Sequence, residues 1–201
     1  MLANVDTLAE DNIRTLNIPE RKFPKPAAII LIGFPGAGKT TLTNSLAKTF
    51  PLALVSDEVM AHFLFPSQPT FLRHSQKEFL ELAAKTIEKL ILRGVSCIYD
   101  SNVKFKQDRS IIKQIVEASG GKYILVYLKI SKEQALERVE RENFQVSRGE
   151  KKGFIINKDL FQYDISSTEL PNTSEEHLIF DSTDSESILT LNQQILSKIN
   201  S

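Results

Sequence analysis

From residue 27 onward, apolar positions recur in two alternating rhythms. Ala27 to Ile32 is a continuous apolar run ending at Gly33, as a strand buried on both faces would be. Lys39 to Phe50 has helical spacing and stops at Pro51. Leu52-Ala-Leu-Val55 reads as a second strand, and Ser56-Asp-Glu as the start of the next helix. Gln76 to Arg93 places Phe79, Leu80, Ala83, Ile87, Leu90 and Ile91 on one side of a long helix closed by Gly94. Val95 to Tyr99 reads as a third strand and Asp108 to Ser119 as a helix ended by Gly120-Gly121. Tyr123 to Ile130 is a fourth strand, followed by a helix capped by Ser131 and running to about Asn143. His177 to Phe180 is a short fifth strand, and Ser185 to Ile199 a last helix. Such alternation predicts an α/β fold: a parallel sheet with helices on both faces.

Residues 63–75 and 142–175 fit neither rhythm and are long for simple connections; long structured loops in compact domains are usually functional. A lid is expected at about 142–156. Ahead of the sheet, Val5, Leu8, Ile13 and Leu16 form a loose helical pattern, and the three prolines of Ile18 to Pro26 predict an extended linker. Residues 1–26 are therefore expected to be an appendage, either a capping helix or a frayed tail, on a domain formed by 27–201.

Composition narrows the class. A chain of 201 residues can bury a full core. Lys plus Arg and Asp plus Glu both number 25, so the zero net charge disfavours a general polyanion binder, although a local basic patch is compatible with it. The single Cys97 lies in an apolar run, which excludes a disulfide framework and suggests a reducing, cytoplasmic setting. No apolar run approaches the roughly 20 residues of a membrane span, and the N-terminal residues lack the pattern of a signal peptide. No membrane partner is expected. The three histidines show no metal-ligand spacing.

Gly33-Phe-Pro-Gly-Ala-Gly-Lys-Thr40 matches G-x-x-x-x-G-K-[ST], directly after a predicted strand and opening a predicted helix. Glycines there let backbone N–H groups turn toward phosphate oxygens, and the helix dipole adds its positive end. Lys39 would supply charge to the β- and γ-phosphates, and Thr40 a hydroxyl to Mg²⁺. Gly33, Phe34, Pro35, Gly36, Ala37, Gly38, Lys39, Thr40 and Thr41 are thus the candidate nucleotide-binding residues, with ATP and Mg²⁺ expected.

A GTPase switch is disfavoured, because no Asp has a Gly three positions on and Asn157-Lys-Asp-Leu160 lacks the guanine-reading spacing. A kinase fits better. Asp57 follows the second strand, where a carboxylate could accept a proton from an attacking hydroxyl, although a helix cap would put an acid there equally well. Asp100 ends the third strand as a metal-holding acid would, with Asn102 close behind to orient it or a substrate. Arg138 and Arg141, on a helix, and Arg148, in the basic loop that follows, could close over a triphosphate; the first two could equally form a solvated face. His62, Arg73 and the aromatics Phe63, Phe65 and Phe71 fall where an acceptor would sit, or the aromatics are core.

Together these residues resemble the P-loop kinases grouped with the phage polynucleotide 5′-hydroxyl kinase and the zeta-toxin kinases, within the P-loop nucleoside triphosphate hydrolase superfamily. The likeness rests on Gly33 to Thr40, Ser56-Asp57, Tyr99-Asp-Ser-Asn102 with Arg109 beyond, and Arg148-Gly before Phe154-Ile-Ile. It implies a three-layer fold with a five-stranded parallel sheet in the order 2-3-1-4-5, Mg-ATP as donor, Asp57 as base, Arg148 in the lid and Arg109 toward the acceptor. The run Asp57-Glu-Val-Met-Ala-His62 departs from the polynucleotide kinase pattern, which often has an Arg there. With zero net charge, this makes a nucleic-acid acceptor less favoured than a hydroxyl-bearing small molecule. The competing expectation is a nucleotide-dependent regulatory or assembly module with no phosphoacceptor.

Overall fold

The computed structural model describes residues 4–65, 76–151, 153, 155–184 and 186–201. Five strands, β1 (Ala27–Ile32), β2 (Ala53–Ser56), β3 (Cys97–Asp100), β4 (Lys122–Lys129) and β5 (Leu178–Asp181), form one sheet in the order β2-β3-β1-β4-β5. All four pairings are parallel. The helices are α1 (Val5–Thr15), α2 (Lys39–Thr49), α3 (Asp57–Leu64), α4 (Gln76–Leu92), α5 (Lys106–Ala118), α6 (Lys132–Ser147), α7 (Lys158–Ser167) and α8 (Ser187–Asn200). Sheet order and two-sided cover agree with the α/β fold expected.

β1 shows why there are three layers. Its odd residues Ala27, Ile29 and Leu31 enter a core with side chains of α2, α6, α7 and α8, while Ala28, Ile30 and Ile32 enter a second core with α1, α3, α4 and α5. Alternate side chains of a strand point to opposite faces, so a strand that is apolar at every position needs a helical layer on each side.

α1 packs on α4, with Ala9, Asn12 and Ile13 buried. The Asn12 amide donates to Thr86 Oγ1 at 3.2 Å, and Arg93 Nη2 reaches both carboxylate oxygens of Glu10 at 2.8 and 2.7 Å. Lys89 adds ion pairs to Asp6 and Glu10.

The stretch 142–175, which fitted neither rhythm, holds the end of one helix and the whole of another. α6 continues to Ser147, and α7 follows, capped by Asn157 Oδ1 accepting from Leu160 N–H. Past Val139, the α6 sequence is mostly polar and its helical stripe fades; α7 shows only Phe161 and Ile165 to the core, too short a pattern to stand out. Lys104 holds α7 in place: its buried ammonium lies 3.0 Å from Ser167 Oγ, 3.3 Å from Asp164 Oδ1 and 4.6 Å from the Tyr163 ring centroid.

Arg109, which the family resemblance directs toward an acceptor, is instead buried at 1% exposure. Its guanidinium donates from Nε and Nη2 to the two Glu175 oxygens at 2.7 and 2.8 Å, and to the carbonyls of Val103 and Glu169 at 2.9 Å each. A guanidinium with these bonds ties α5 to the connection entering β5 and has no free edge for a substrate. Removing one partner of such a buried pair typically costs about 3–5 kcal/mol. Arg109→Ala is therefore expected to lower the melting temperature by roughly 10 °C. Thermal denaturation followed by circular dichroism would check this, and an unchanged midpoint would contradict the structural role.

Candidate functional site

The loop from Gly33 to Gly38 leaves the carboxyl end of the central strand and enters α2 with Gly38 as its N-cap. Gly36 and Gly38 take φ of +80° and +91°, a region that L side chains rarely adopt. At Gly36 a Cβ would also lie 2.4 Å from the Ala135 carbonyl oxygen, so the loop can pack against α6 only as glycine. The Asn102 side chain accepts from Gly33 N–H at 3.3 Å. Asn102 thus braces the loop, where the sequence had suggested contact with Asp100 or a substrate.

Lys39 Nζ donates to the carbonyls of Gly33 and Phe34 at 2.9 and 3.1 Å. Burial lowers its pKa to about 8, against the opposing pull of Asp100 and Asp164. Thr40 Oγ1 donates to Asp100 Oδ1 at 3.3 Å, and burial raises the Asp100 pKa. Thr40 and Asp100 together offer only oxygen donors. Such a set fits Mg²⁺, which usually takes one or two protein oxygens and fills its octahedron with phosphate oxygens and water.

Beside this loop lies a cavity of about 520 Å³, lined by Gly36, Gly38, Lys39, Thr40, Thr41, Arg138, Arg141, Glu142, Gln145 and Lys151. Phe34 is core, its side chain buried beneath the loop. Arg138 stands at the edge of the cavity, fixed by Nη1 to Ser182 Oγ at 3.1 Å and Nη2 to the Ser182 carbonyl at 2.9 Å. An adjoining recess is lined by Leu42, Phe180, Ser182, Thr183, Asp184 and Ile188. The structure brings Arg138 and Arg141 to the cavity together with Lys151, which pairs with Glu142. Arg148 lies outside that lining: its Nε is 2.8 Å from Glu150 and its guanidinium covers the Phe144 ring. The expected lid residue is thus engaged elsewhere. Of the acceptor candidates, His62 is exposed on α3, and Arg73 lies outside the described residues.

Asp57 opens α3 at the end of β2, with Ser56 Oγ capping the helix by accepting from Val59 N–H. Capping falls to Ser56, which leaves the Asp57 carboxylate for other contacts. Its Oδ1 accepts from Tyr99 Oη at 2.5 Å and its Oδ2 from Ser101 Oγ at 2.6 Å. Burial raises its pKa to about 6; the two hydroxyls oppose the rise and neighbouring Asp100 adds to it. Sequence reading passed over both hydroxyls, yet their place beside Asp100 marks them. Tyr99 and Ser101 flank Asp100, whose register partner on β2 is Ser56, the residue before Asp57.

A family model described as an AAA domain matches residues 29–152. Among curated proteins, the chain is 29% identical over 118 residues to a probable adenylyl-sulfate kinase from Aeropyrum pernix, covering 57% of this chain and 64% of that protein. It is 27% identical over 122 residues to a shikimate kinase from Oceanobacillus iheyensis, covering 59% and 64%. Both matches thus span less than two thirds of the relative. Solved structures with the same fold include Chaetomium thermophilum Kti12 in complex with ADP-AlF3, with a TM-score of 0.64, 17% identity, and 86% and 98% of the two chains covered. Another is the Mycobacterium tuberculosis APS kinase CysC in complex with AMPPNP and APS, with a TM-score of 0.59, 16% identity, and 89% and 99% covered.

The raised Asp57 pKa has a consequence for stability that is independent of function. The folded chain holds the Asp57 proton more tightly than the unfolded chain, so stability is lost as pH rises from the ordinary value of 3.8 to about 6 and stays at the lower level above it. Asp57→Asn, neutral at every pH, is expected to melt higher than wild type at pH 8, with the gap closing as pH falls below 6 toward 4. Melting curves across pH 4–8 would check it, and a gap that widened toward acid would contradict the burial argument.

Proposed function

The chain belongs to the AAA-domain family matched over residues 29–152, and from that premise we propose that it is an ATP- and Mg²⁺-dependent kinase transferring the γ-phosphoryl group to a hydroxyl of a small-molecule or nucleotide-like acceptor. The observation that carries the proposal is Asp57. This half-buried carboxylate stands at a strand's carboxyl end, hydrogen-bonded to two hydroxyls, with its pKa moved to about 6. A carboxylate kept only for structure gains most from a cation or from backbone donors; one kept as a base is better served by partners that can be exchanged.

In this reading the loop amides and Lys39 hold the β- and γ-phosphates, and Arg138 and Arg141 reach the same polyanion from α6. The recess lined by Phe180, Ile188 and Leu42 takes the nucleoside, with Ser182 to Asp184 offering polar partners. Thr40 and Asp100 would hold Mg²⁺, which neutralises charge on the phosphates when bound. Asp57 accepts the acceptor's proton as its oxygen attacks the γ-phosphorus. The 29% and 27% identical relatives, named as kinases, support phosphoryl transfer as the class. Zero net charge speaks against a polynucleotide acceptor.

The free protein carries an acid and a base whose windows overlap. Asp57 must be ionised, above about 6, and Lys39 protonated, below about 8. A bell-shaped profile of kcat/KM for ATP with limbs near those values is expected, measured as phosphate release or transfer across pH 5–9. A flat profile would remove Asp57 and Lys39 from their assigned roles.

The acceptor is tested by incubating the protein with γ-labelled ATP, Mg²⁺ and a panel of alcohols, sugars, nucleosides and oligonucleotides. Label should move to one class of hydroxyl, and Asp57→Asn should lower transfer by about 10²- to 10⁴-fold while retaining ATP affinity. Tight ATP binding with no transfer to any acceptor would favour the regulatory-module reading instead.

A further inference from the structure

We infer that the Ser101 hydroxyl guards the catalytic base: it occupies the Asp57 oxygen that an acceptor hydroxyl must reach, and the acceptor displaces it while Tyr99 stays bound to the other oxygen. The inference rests on the kinase reading above and names how that site tells an acceptor from water.

The two hydroxyls on Asp57 differ in freedom. Tyr99 is 2% exposed on β3, in register with Ile30 of β1 on one side and Val55 of β2 on the other. Withdrawing its phenol would require a ring to turn inside a packed core. Ser101 lies one residue past the end of β3, half-buried, with its N–H bonded to the Tyr99 carbonyl at 3.1 Å. Rotation about its one side-chain torsion to another staggered position carries Oγ off the carboxylate without turning a ring. Oδ1 is therefore a fixed anchor and Oδ2 an exchangeable position.

The exchange replaces one O–H donor by another, so the carboxylate keeps its hydrogen bonds throughout. Between Tyr99 and Ser101 sits Asp100, whose side chain reaches Thr40 of the phosphate loop. Asp100 is also the register partner of Ser56, the residue before Asp57, so the strand ends bearing the two carboxylates are neighbours. An acceptor anchored through its other groups competes with the tethered Ser101 hydroxyl at high effective concentration, whereas a single water molecule does so poorly.

Once the acceptor is in place, its O–H proton passes to Asp57 Oδ2 and its oxygen forms the bond to the γ-phosphorus. The bond from that phosphorus to the β–γ bridging oxygen breaks, and ADP leaves with the electron pair. Asp57 afterwards returns the proton to solvent. With water in the acceptor's place, the same step yields ADP and inorganic phosphate. Ser101 suppresses that loss, and Tyr99 is the positioning residue that keeps Asp57 aimed.

The experiment uses the full chain with Mg-ATP and water as the acceptor, so no acceptor need be known. Ser101→Ala should raise acceptor-free phosphate release by roughly three- to thirtyfold, the scale of one net hydrogen bond, with ATP affinity unchanged by calorimetry. Ser101→Thr, which restores a hydroxyl, should return the rate to within about twofold of wild type. Asp57→Asn combined with Ser101→Ala should abolish the gain, and Tyr99→Phe combined with Ser101→Ala should reduce it. A Ser101→Ala rate at or below that of wild type, in folded protein that binds ATP, overturns the guard while leaving the kinase reading intact. A gain that survives loss of Asp57 also overturns it. Failure of wild type to bind Mg-ATP would overturn both readings.

Discussion

Burial of Ala27–Ile32 on both faces sets the terms for everything around it. Its four large aliphatic side chains, Ile29, Ile30, Leu31 and Ile32, are each 0% exposed. At about 2 kcal/mol per side chain, their burial is comparable to the whole net stability of a domain this size. That magnitude decides between competing demands. The strand cannot surrender a face to solvent, so helices must cover both sides, and any polar work must be done beyond its ends. At the carboxyl end the chain leaves the core through glycines, two of which line the cavity.

Much of this was legible in the sequence because strand and helix periods are separated by breakers: Gly33, Pro51, Gly94 and Gly120-Gly121 each punctuate a change of rhythm. All five strands were located, β1 with both its ends and the others with boundaries displaced by one or two residues. The sheet order followed from the family resemblance; periodicity alone does not provide it. α7 and the last turn of α6 were missed because their stability is tertiary: α7 contributes two buried side chains, and Lys104 of another segment completes its docking. A contact between residues 60 positions apart leaves no local pattern.

At the site, the residues that sequence reading handled well are those whose backbone position is their function. The phosphate loop is recognised by spacing because spacing creates its geometry. Arginines are different. A guanidinium has five donors and a long reach, and the same residue type serves a polyanion, a buried carboxylate or a ring face with equal ease. Arg109 with Glu175 and Arg148 with Glu150 and Phe144 illustrate two of those fates. Glu175 lies 66 residues beyond Arg109, in a segment whose placement sequence alone does not supply. Tyr99 and Ser101, by contrast, could have been found: they flank Asp100 at the end of β3, beside the end of β2 from which the chain enters α3 at Asp57.

The electrostatics of the cleft follow from the same burial. Lys39 and Asp57 are both pushed toward their neutral forms by removal from water. Their shifts have opposite signs and one origin. A polyanion placed in the cavity would restore the charge of Lys39 directly, since it supplies the negative field that solvent no longer screens. Asp57, facing hydroxyls and not a cation, would receive no such help; added phosphate charge nearby would favour its protonated form still more. In the proposed reading, nucleotide and acceptor act on the two groups in different ways: the first would stabilise the lysine's charge and the second would take the carboxylate's proton-accepting oxygen by replacing a hydroxyl. The packing that hides the central strand also takes a lysine and an aspartate partly out of water, and so makes the charged form of each less favourable than it is in solvent.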